Sequence, residues 1–193
     1  MKSELDIKEI KERAKEGDDN AQLRMGLCYM NGEGIKRNPQ TAMVWLRKAA
    51  NQGNARAQYY LGYNYTYGVG ATKNIKSAEK WYIKAAEQGN ANAQRNLGTF
   101  YFSGWGGLLY DINLAIELYT KAAEQGDAES QSYLGCCYED GIGVQQDYGK
   151  AVEWYQKAAA QGNVFSQTKL DNLYKNGYAA PSNTSTQNDT VLE

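Results

Sequence analysis

A period of 36 or 37 residues constrains the fold of this chain more than any other feature. Glycine follows Gln or Glu at the end of each unit, at Gly17, Gly53, Gly89, Gly126 and Gly162. Other columns keep the same interval, among them Ala42, Ala78, Ala115 and Ala151, and also Trp45, Trp81, Leu118 and Trp154. Because so many columns share one offset, the sequence predicts stacked repeats that bury their apolar faces against each other.

Each repeat is predicted to contain two antiparallel helices. The first has the pattern A-Q-x-x-L-G-x-x-Y, as in residues 57–65, and the second the pattern A-x-x-W-Y-x-K-A-A-x-Q-G, as in residues 78–89. Both space small and apolar residues three or four apart, which is typical of amphipathic helices. A side-chain oxygen precedes each second helix at Asn38, Asn74, Asp111 and Asp147, where an N-cap is needed. The glycine column ends each second helix and permits a left-handed backbone there.

These patterns predict an all-α solenoid of about ten helices in one domain, residues 1–178. Its predicted parts are a capping helix at 5–16, repeats at about 21–56, 57–92, 93–129 and 130–165, and a half repeat at 166–178. Residues 179–193 are polar and aperiodic, which predicts a disordered tail. The last helix has no following partner to cover Leu170, Leu173 and Tyr174, so we expect tail docking or self-association there.

The repeated motifs resemble those of the Sel-one-like repeat family, a tetratricopeptide-like class of α/α solenoid. The resemblance rests on L-G-x-x-Y, G-x-G and the second-helix string quoted above, and it covers about nine tenths of the chain. The third unit departs through an inserted residue at 103–110 and through Leu118, and the last half unit has Asp171 in place of glycine. The resemblance implies a right-handed superhelix with first helices on a concave face. It also implies protein–protein interaction, in members that serve as adaptors, scaffolds or immunity proteins.

Composition narrows the range of functions. The formal charge of −1 gives no basic patch for nucleic acid, and no apolar run approaches the roughly 20 residues of a membrane span. The chain has no histidine, the commonest general base and metal ligand, so neither catalysis nor a metal or other cofactor is expected. The odd count of three cysteines favours reduced, buried thiols over a disulfide framework. The charged start predicts a cytoplasmic protein, or a periplasmic or secreted one if a signal peptide was removed.

The candidate partner-binding residues lie on the first helices, away from the packing stripe. Their identities vary between units while the packing columns stay fixed, as expected of a recognition surface on a scaffold. Tyrosine, present 16 times, suits such a surface because it offers large contact area and a polar tip. The candidates are Arg24, Leu27, Asn31, Tyr60, Tyr63 (or Asn64), Tyr67, Asn96, Thr99, Ser103 and Tyr133. The alternative is that these rings only cover the contacts between repeats.

Two further features leave alternatives open. Trp105, flanked by glycines in the irregular loop, is either a plug for the insertion, which we favour, or an exposed anchor. The G-x-G segments, such as 68–70, follow helices rather than strands and are interpreted as turns, not nucleotide loops.

The sequence thus favours a non-enzymatic adaptor or scaffold that binds a protein or peptide. A bacterial immunity protein that neutralises a secreted toxin is the alternative. A hydrolase acting on a small amide or cell-wall fragment is a more remote one, because no set of ionisable residues for it is apparent.

Overall fold

The computed structural model describes residues 4–178, and this part of the chain is entirely helical apart from its connections. Each helix packs against the helices before and after it, as expected of a solenoid. Its α-helices are Glu4–Glu16 (α1), Asp19–Asn31 (α2), Pro39–Asn51 (α3), Ala55–Tyr67 (α4), Ile75–Glu87 (α5), Ala91–Ser103 (α6), Ile112–Glu124 (α7), Ala128–Asp140 (α8), Tyr148–Ala160 (α9) and Val164–Lys175 (α10). The first helices of the repeats are α2, α4, α6 and α8, and α10 is the first helix of the terminal half repeat. The predicted all-α solenoid is confirmed.

The helix boundaries follow the periodic punctuation of the sequence. At the start of α5, the side chain of Asn74 accepts a hydrogen bond from the backbone N–H of Ser77 at 2.9 Å. Equivalent bonds cap the other helices from α2 to α10, as predicted for the Asn/Asp columns. Beyond the end of α3, Gly53 has a φ of 98°, a conformation that side chains disfavour. Each helix from α2 to α10 therefore begins at a side-chain cap that the sequence pattern predicted.

Glycine within each first helix makes room for a side chain of the second helix. A Cβ atom on Gly62 would lie 2.5 Å from Cδ1 of Tyr82, whose ring is fully buried. The same relation joins Gly98 to Tyr119 and Gly135 to Tyr155, whereas Leu46 fills this place over Gly26 in the first unit. The glycine column thus leaves space for a large side chain, a ring in three of the four units, between the two helices of a repeat.

A repeated pair of glutamines joins the two helices of each unit, and the first glutamine of the pair also bonds the preceding helix. The buried Gln58 donates from Nε2 to the carbonyl of Ala50 at 3.1 Å, and its Oε1 accepts from Gln88 Nε2 at 2.7 Å. The other side-chain pairs of this ladder are Gln22 with Gln52, Gln94 with Gln125, and Gln131 with Gln161. Only the first glutamine of each pair is buried, and the backbone carbonyl and the exposed second glutamine together satisfy its side chain.

The glycine-flanked connections pack on preceding second helices, as turns do. Gly70, with a φ of 71°, lies so close to the backbone carbonyl of Pro39 at the start of α3 that no Cβ fits. Gly143 is similarly placed against Ile112, where a Cβ would lie 2.7 Å from Cγ1. The interpretation of G-x-G as a turn is therefore confirmed.

The C-terminal half repeat corrects one expectation. Leu170 and Leu173 are buried, because they pack against Val152 and Tyr155 of the preceding helix α9 rather than facing outward. Asp171, which occupies the glycine column, is exposed and accepts a hydrogen bond from Gln167 at 3.0 Å. No second helix follows α10 among the described residues. No side chain therefore packs over position 171, and the polar Asp171 can occupy the column that holds glycine in the full repeats. The predicted uncovered apolar face is wrong.

The predicted tail, residues 179–193, lies outside the described residues. Within residues 4–178, no helix is both long and apolar enough to cross a bilayer.

Candidate functional site

The first helices together form one surface, here called the first-helix face, which consists of the solvent side of α2, α4, α6, α8 and α10. Among the described residues, at least three grooves open on it. The largest of these three, about 480 Å³, lies between α2 and α4 and is called the α2–α4 groove. A second of about 160 Å³ crosses α4, α6 and α8, and a third of about 270 Å³ lies between α8 and α10. This is the side of the solenoid on which the variable residues were predicted to lie.

A row of tyrosine rings on α4 separates the first two grooves. The ring centroids of Tyr63 and Tyr67 are 4.6 Å apart, and those of Tyr59 and Tyr63 are 6.4 Å apart. Tyr59 also lies 5.2 Å from Tyr60. These separations suit attractive aromatic contact. Tyr63 and Tyr67 are 40% and 57% exposed, so their rings support each other and still present area to solvent.

The α2–α4 groove contains five of the predicted residues. Leu27 and Tyr60 are half-buried and pack on the core at its floor, together with Leu46. At the rim, Arg24 pairs with Glu33 at 3.0 Å, and Asn31 donates to the same Glu33 at 2.8 Å. The groove thus combines an apolar floor with a polar rim whose charges cancel. The fifth predicted residue that lines it is Tyr63.

The groove across α4, α6 and α8 is lined by Tyr67, Asn96, Thr99 and Tyr133 of the predicted set. Two of these are already engaged by buried tyrosines of the second helices. Asn96 donates to the hydroxyl of Tyr82 at 3.1 Å, and Thr99 accepts from the hydroxyl of Tyr119 at 3.2 Å. Burial is the main cause that raises the pKa of both phenols well above the ordinary value. Asn96 and Thr99 therefore support the buried tyrosines of the scaffold as well as lining the groove, and their role in partner binding stays a prediction.

The structure separates the other predicted residues. Ser103 is exposed but donates to the carbonyl of Thr99 at 2.8 Å, and it does not line the three grooves. Of the alternatives Tyr63 and Asn64, Tyr63 is the exposed one and Asn64 is buried. Trp105 packs edge-on against Phe100, with centroids 5.3 Å apart. The favoured interpretation of Trp105 as a plug agrees with this contact. The residue also lines the groove across α4, α6 and α8.

Two residues of this face were missed by the sequence analysis. Tyr59 is half-buried where α4 meets α6, and burial raises the pKa of its phenol. Arg95 on α6 binds Asp127 at 2.6 Å and Glu129 at 3.2 Å, which ties α6 to the start of α8. Both occupy one repeat column, since 59 plus 36 gives 95. The change from tyrosine to arginine within that column was the sequence feature that could have identified both as variable residues of this face.

A polar cluster lies next to the third groove. The hydroxyl of Tyr155 donates to Glu139 at 2.6 Å, and Lys169 pairs with the same carboxylate at 3.0 Å. Cys136, which lines this groove, is 3.2 Å from the Tyr155 hydroxyl. Cys136 is half-buried, whereas Cys137 and Cys28 are buried as expected. Burial is the main cause that raises the pKa of the Cys136 thiol, so this environment does not activate it as a nucleophile.

Comparisons with known proteins agree with this architecture. The model of the Sel1 repeat matches residues 19–54, 55–90, 91–127 and 128–163. No curated protein matches. Among solved structures, c5321 of uropathogenic Escherichia coli, a protective antigen with an SLR fold, is 40% identical with a TM-score of 0.85. That match covers 89% of this chain and 36% of the other, so this chain spans about a third of that protein.

Two further structures are similar. A Sel1 repeat protein from Oxalobacter formigenes is 38% identical with a TM-score of 0.81, over 90% of this chain and 68% of that one. Cysteine rich protein B of Helicobacter pylori is 24% identical with a TM-score of 0.55, over 70% of this chain and 97% of that one. The latter likeness concerns the fold alone.

Proposed function

Because this chain belongs to the Sel1 repeat family, whose repeats mediate protein–protein interaction, we propose that it is a non-enzymatic adaptor or scaffold. It binds a partner protein on the first-helix face. Proteins with this fold are typically non-catalytic scaffolds, and the groups with raised pKa described above serve packing. The partner sits across α4, with the α2–α4 groove on one side of the tyrosine row and the groove over α6 on the other.

The observation that carries this proposal is the exposed pair Tyr63 and Tyr67. These two exposed rings lie next to each other on the surface, and each of them lines a groove. Tyrosine is enriched among residues that dominate binding energy, because a large rigid ring loses little entropy when it is covered. Charged groups nearby are already paired, as in Arg24 with Glu33. Ring burial and hydrogen bonding are therefore expected to drive the association.

The test is a comparison of two variants by isothermal titration calorimetry, with a partner isolated from native cells by the wild-type chain. The double variant Tyr63→Ala and Tyr67→Ala should lose about 2 kcal/mol or more of binding free energy, about thirtyfold in Kd. Tyr110→Ala is the matched control, because this tyrosine is 62% exposed but lies in the connection before α7. Unchanged affinity of the double variant with intact helical circular dichroism would refute the site. A single partner bound far more tightly than all others would favour the immunity protein.

A further inference from the structure

A polar residue stands in a buried column that is otherwise apolar. The column is Cys28, Asn64, Phe100 and Cys137, and each member is at most 3% exposed. Three units thus place a sulfhydryl or a ring at this position, and the unit that carries the tyrosine row places an amide there. A buried amide destabilises a protein unless it is well hydrogen-bonded. The exception therefore needs a cause other than packing.

The protein gives this amide only a weak partner. Nδ2 of Asn64 donates to the thioether sulfur of Met43 at 3.3 Å, and sulfur is a poor acceptor. The buried amide of Gln58 is better satisfied, since it donates to a backbone carbonyl and accepts from a second glutamine. No nitrogen or oxygen atom of the described residues is hydrogen-bonded to the side chain of Asn64. The hydrogen-bonding capacity of this side chain is thus largely unused within the scaffold.

Asn64 lines the α2–α4 groove. Its neighbours there include Leu27, Leu46 and Tyr60 on the apolar floor. The charges at the rim, Arg24 and Glu33, neutralise each other at 3.0 Å. The α2–α4 groove therefore offers a weakly bonded amide beside an apolar floor and a rim whose charges are paired. Such a site fits an uncharged ligand that brings its own hydrogen-bonding groups.

We propose that Asn64 is a specificity-determining residue that hydrogen-bonds the main chain of an extended, uncharged segment of the partner. An extended segment fits because its backbone N–H and C=O groups are free, whereas those of a helix are engaged internally. One apolar side chain of the segment lies on the floor beside Leu27 and Tyr60. This inference rests on the proposed function and deepens it, since it gives the partner a conformation and a chemistry.

The variant Asn64→Cys separates a binding role from a structural one. Cysteine is similar in size and is the residue of this column in two other units, so the fold should tolerate it. Removal of a poorly bonded buried amide should raise the Tm by about 2–4 °C. The same change should weaken binding about tenfold. A residue needed only for packing would show the opposite, a lower Tm with unchanged affinity, and that result would overturn the proposal.

The probe is a phage-displayed library of linear 12-residue peptides, selected on the wild-type chain and synthesised for calorimetry. Selected peptides should lose affinity for the double variant Tyr63→Ala and Tyr67→Ala, which tests the proposed function. They should lose about tenfold for Asn64→Cys, which tests this inference alone. An ester that replaces the peptide amide bonded by Asn64 should weaken binding to the wild type. The same ester should have little effect on binding to the Asn64→Cys variant.

The outcomes are distinguishable. Peptides that need both tyrosines but bind Asn64→Cys as tightly as wild type would overturn the inference and leave the proposed function standing. Equal sensitivity of both chains to every ester would overturn it as well. Peptides that ignore all these variants, or a library that yields no binder, would reject the extended segment as ligand.

Discussion

Substitution of Gly62 by alanine tests how tightly each repeat closes around its tyrosine. The new Cβ would lie 2.5, 2.6 and 2.9 Å from Cδ1, Cε1 and Cγ of Tyr82. Carbon atoms pack at about 3.5–4.0 Å, so the ring must move by about 1 Å. It has little freedom to do so, because Tyr59 and Phe100 lie against it and Asn96 binds its hydroxyl. The change therefore overpacks a closed site.

Two opposing effects set the magnitude. Alanine favours the helix over glycine by up to about 1 kcal/mol, whereas overpacking a well-filled core costs about 1–3 kcal/mol. We expect a net loss of about 1–2 kcal/mol in the free energy of unfolding. For a chain of this size, that loss corresponds to a fall in Tm of about 2–8 °C.

Thermal unfolding followed by far-ultraviolet circular dichroism measures the effect. Gly149→Ala on α9 is the matched control, because Gly149 is exposed and a Cβ there meets only the Asp147 side chain, at 3.3 Å. The control should be unchanged or stabilised by up to about 1 kcal/mol. A Tm of Gly62→Ala equal to or above that of wild type would refute the argument that glycine is required for the ring.

Three further predictions follow from buried groups. Ser130→Ala should raise the free energy of unfolding by about 1 kcal/mol in urea titration, because its buried hydroxyl has no hydrogen-bond partner among the described residues; a lower value would contradict this. Gln58→Met should lower the free energy of unfolding by about 1–3 kcal/mol, and Gln88→Met should lower it by less, because of these two residues only Gln58 is buried. Equal losses for the two variants would argue against the glutamine ladder. Burial raises the pKa of Cys137 to about 11. Ellman's reagent at about pH 8 should therefore label the half-buried Cys136 first and Cys137 only when the protein unfolds. Simultaneous labelling of both cysteines would be inconsistent with the packing.

The scaffold was predictable because its causes repeat in the sequence. Asn74 caps α5 as its column implied, and Gly53 has the positive φ that its place after α3 required. Each such residue acts through contacts within a few positions of the chain, and the period shows which positions matter. The position of the exposed pair Tyr63 and Tyr67 also followed from the helical geometry of α4.

The features that the sequence did not predict depend on contacts between repeats. A first helix touches its own second helix, the preceding second helix and the neighbouring first helices, so a single packing stripe underestimates its buried surface. Leu173 was expected to face outward because no helix follows, yet the preceding helix α9 covers it. Asn64 was a candidate surface residue, and it lies within the packed column. Arg95 was overlooked because its partner Asp127 is 32 residues away in the next unit.

Site-specific photocrosslinking shows whether the partner lies on the first-helix face. A benzophenone amino acid would replace Tyr67 on this face, or Val44, which is 53% exposed on the second helix α3. After irradiation of the complex, we expect a covalent adduct with the partner from position 67 and none from position 44. Adducts of equal yield from both positions, or an adduct from position 44 alone, would contradict it.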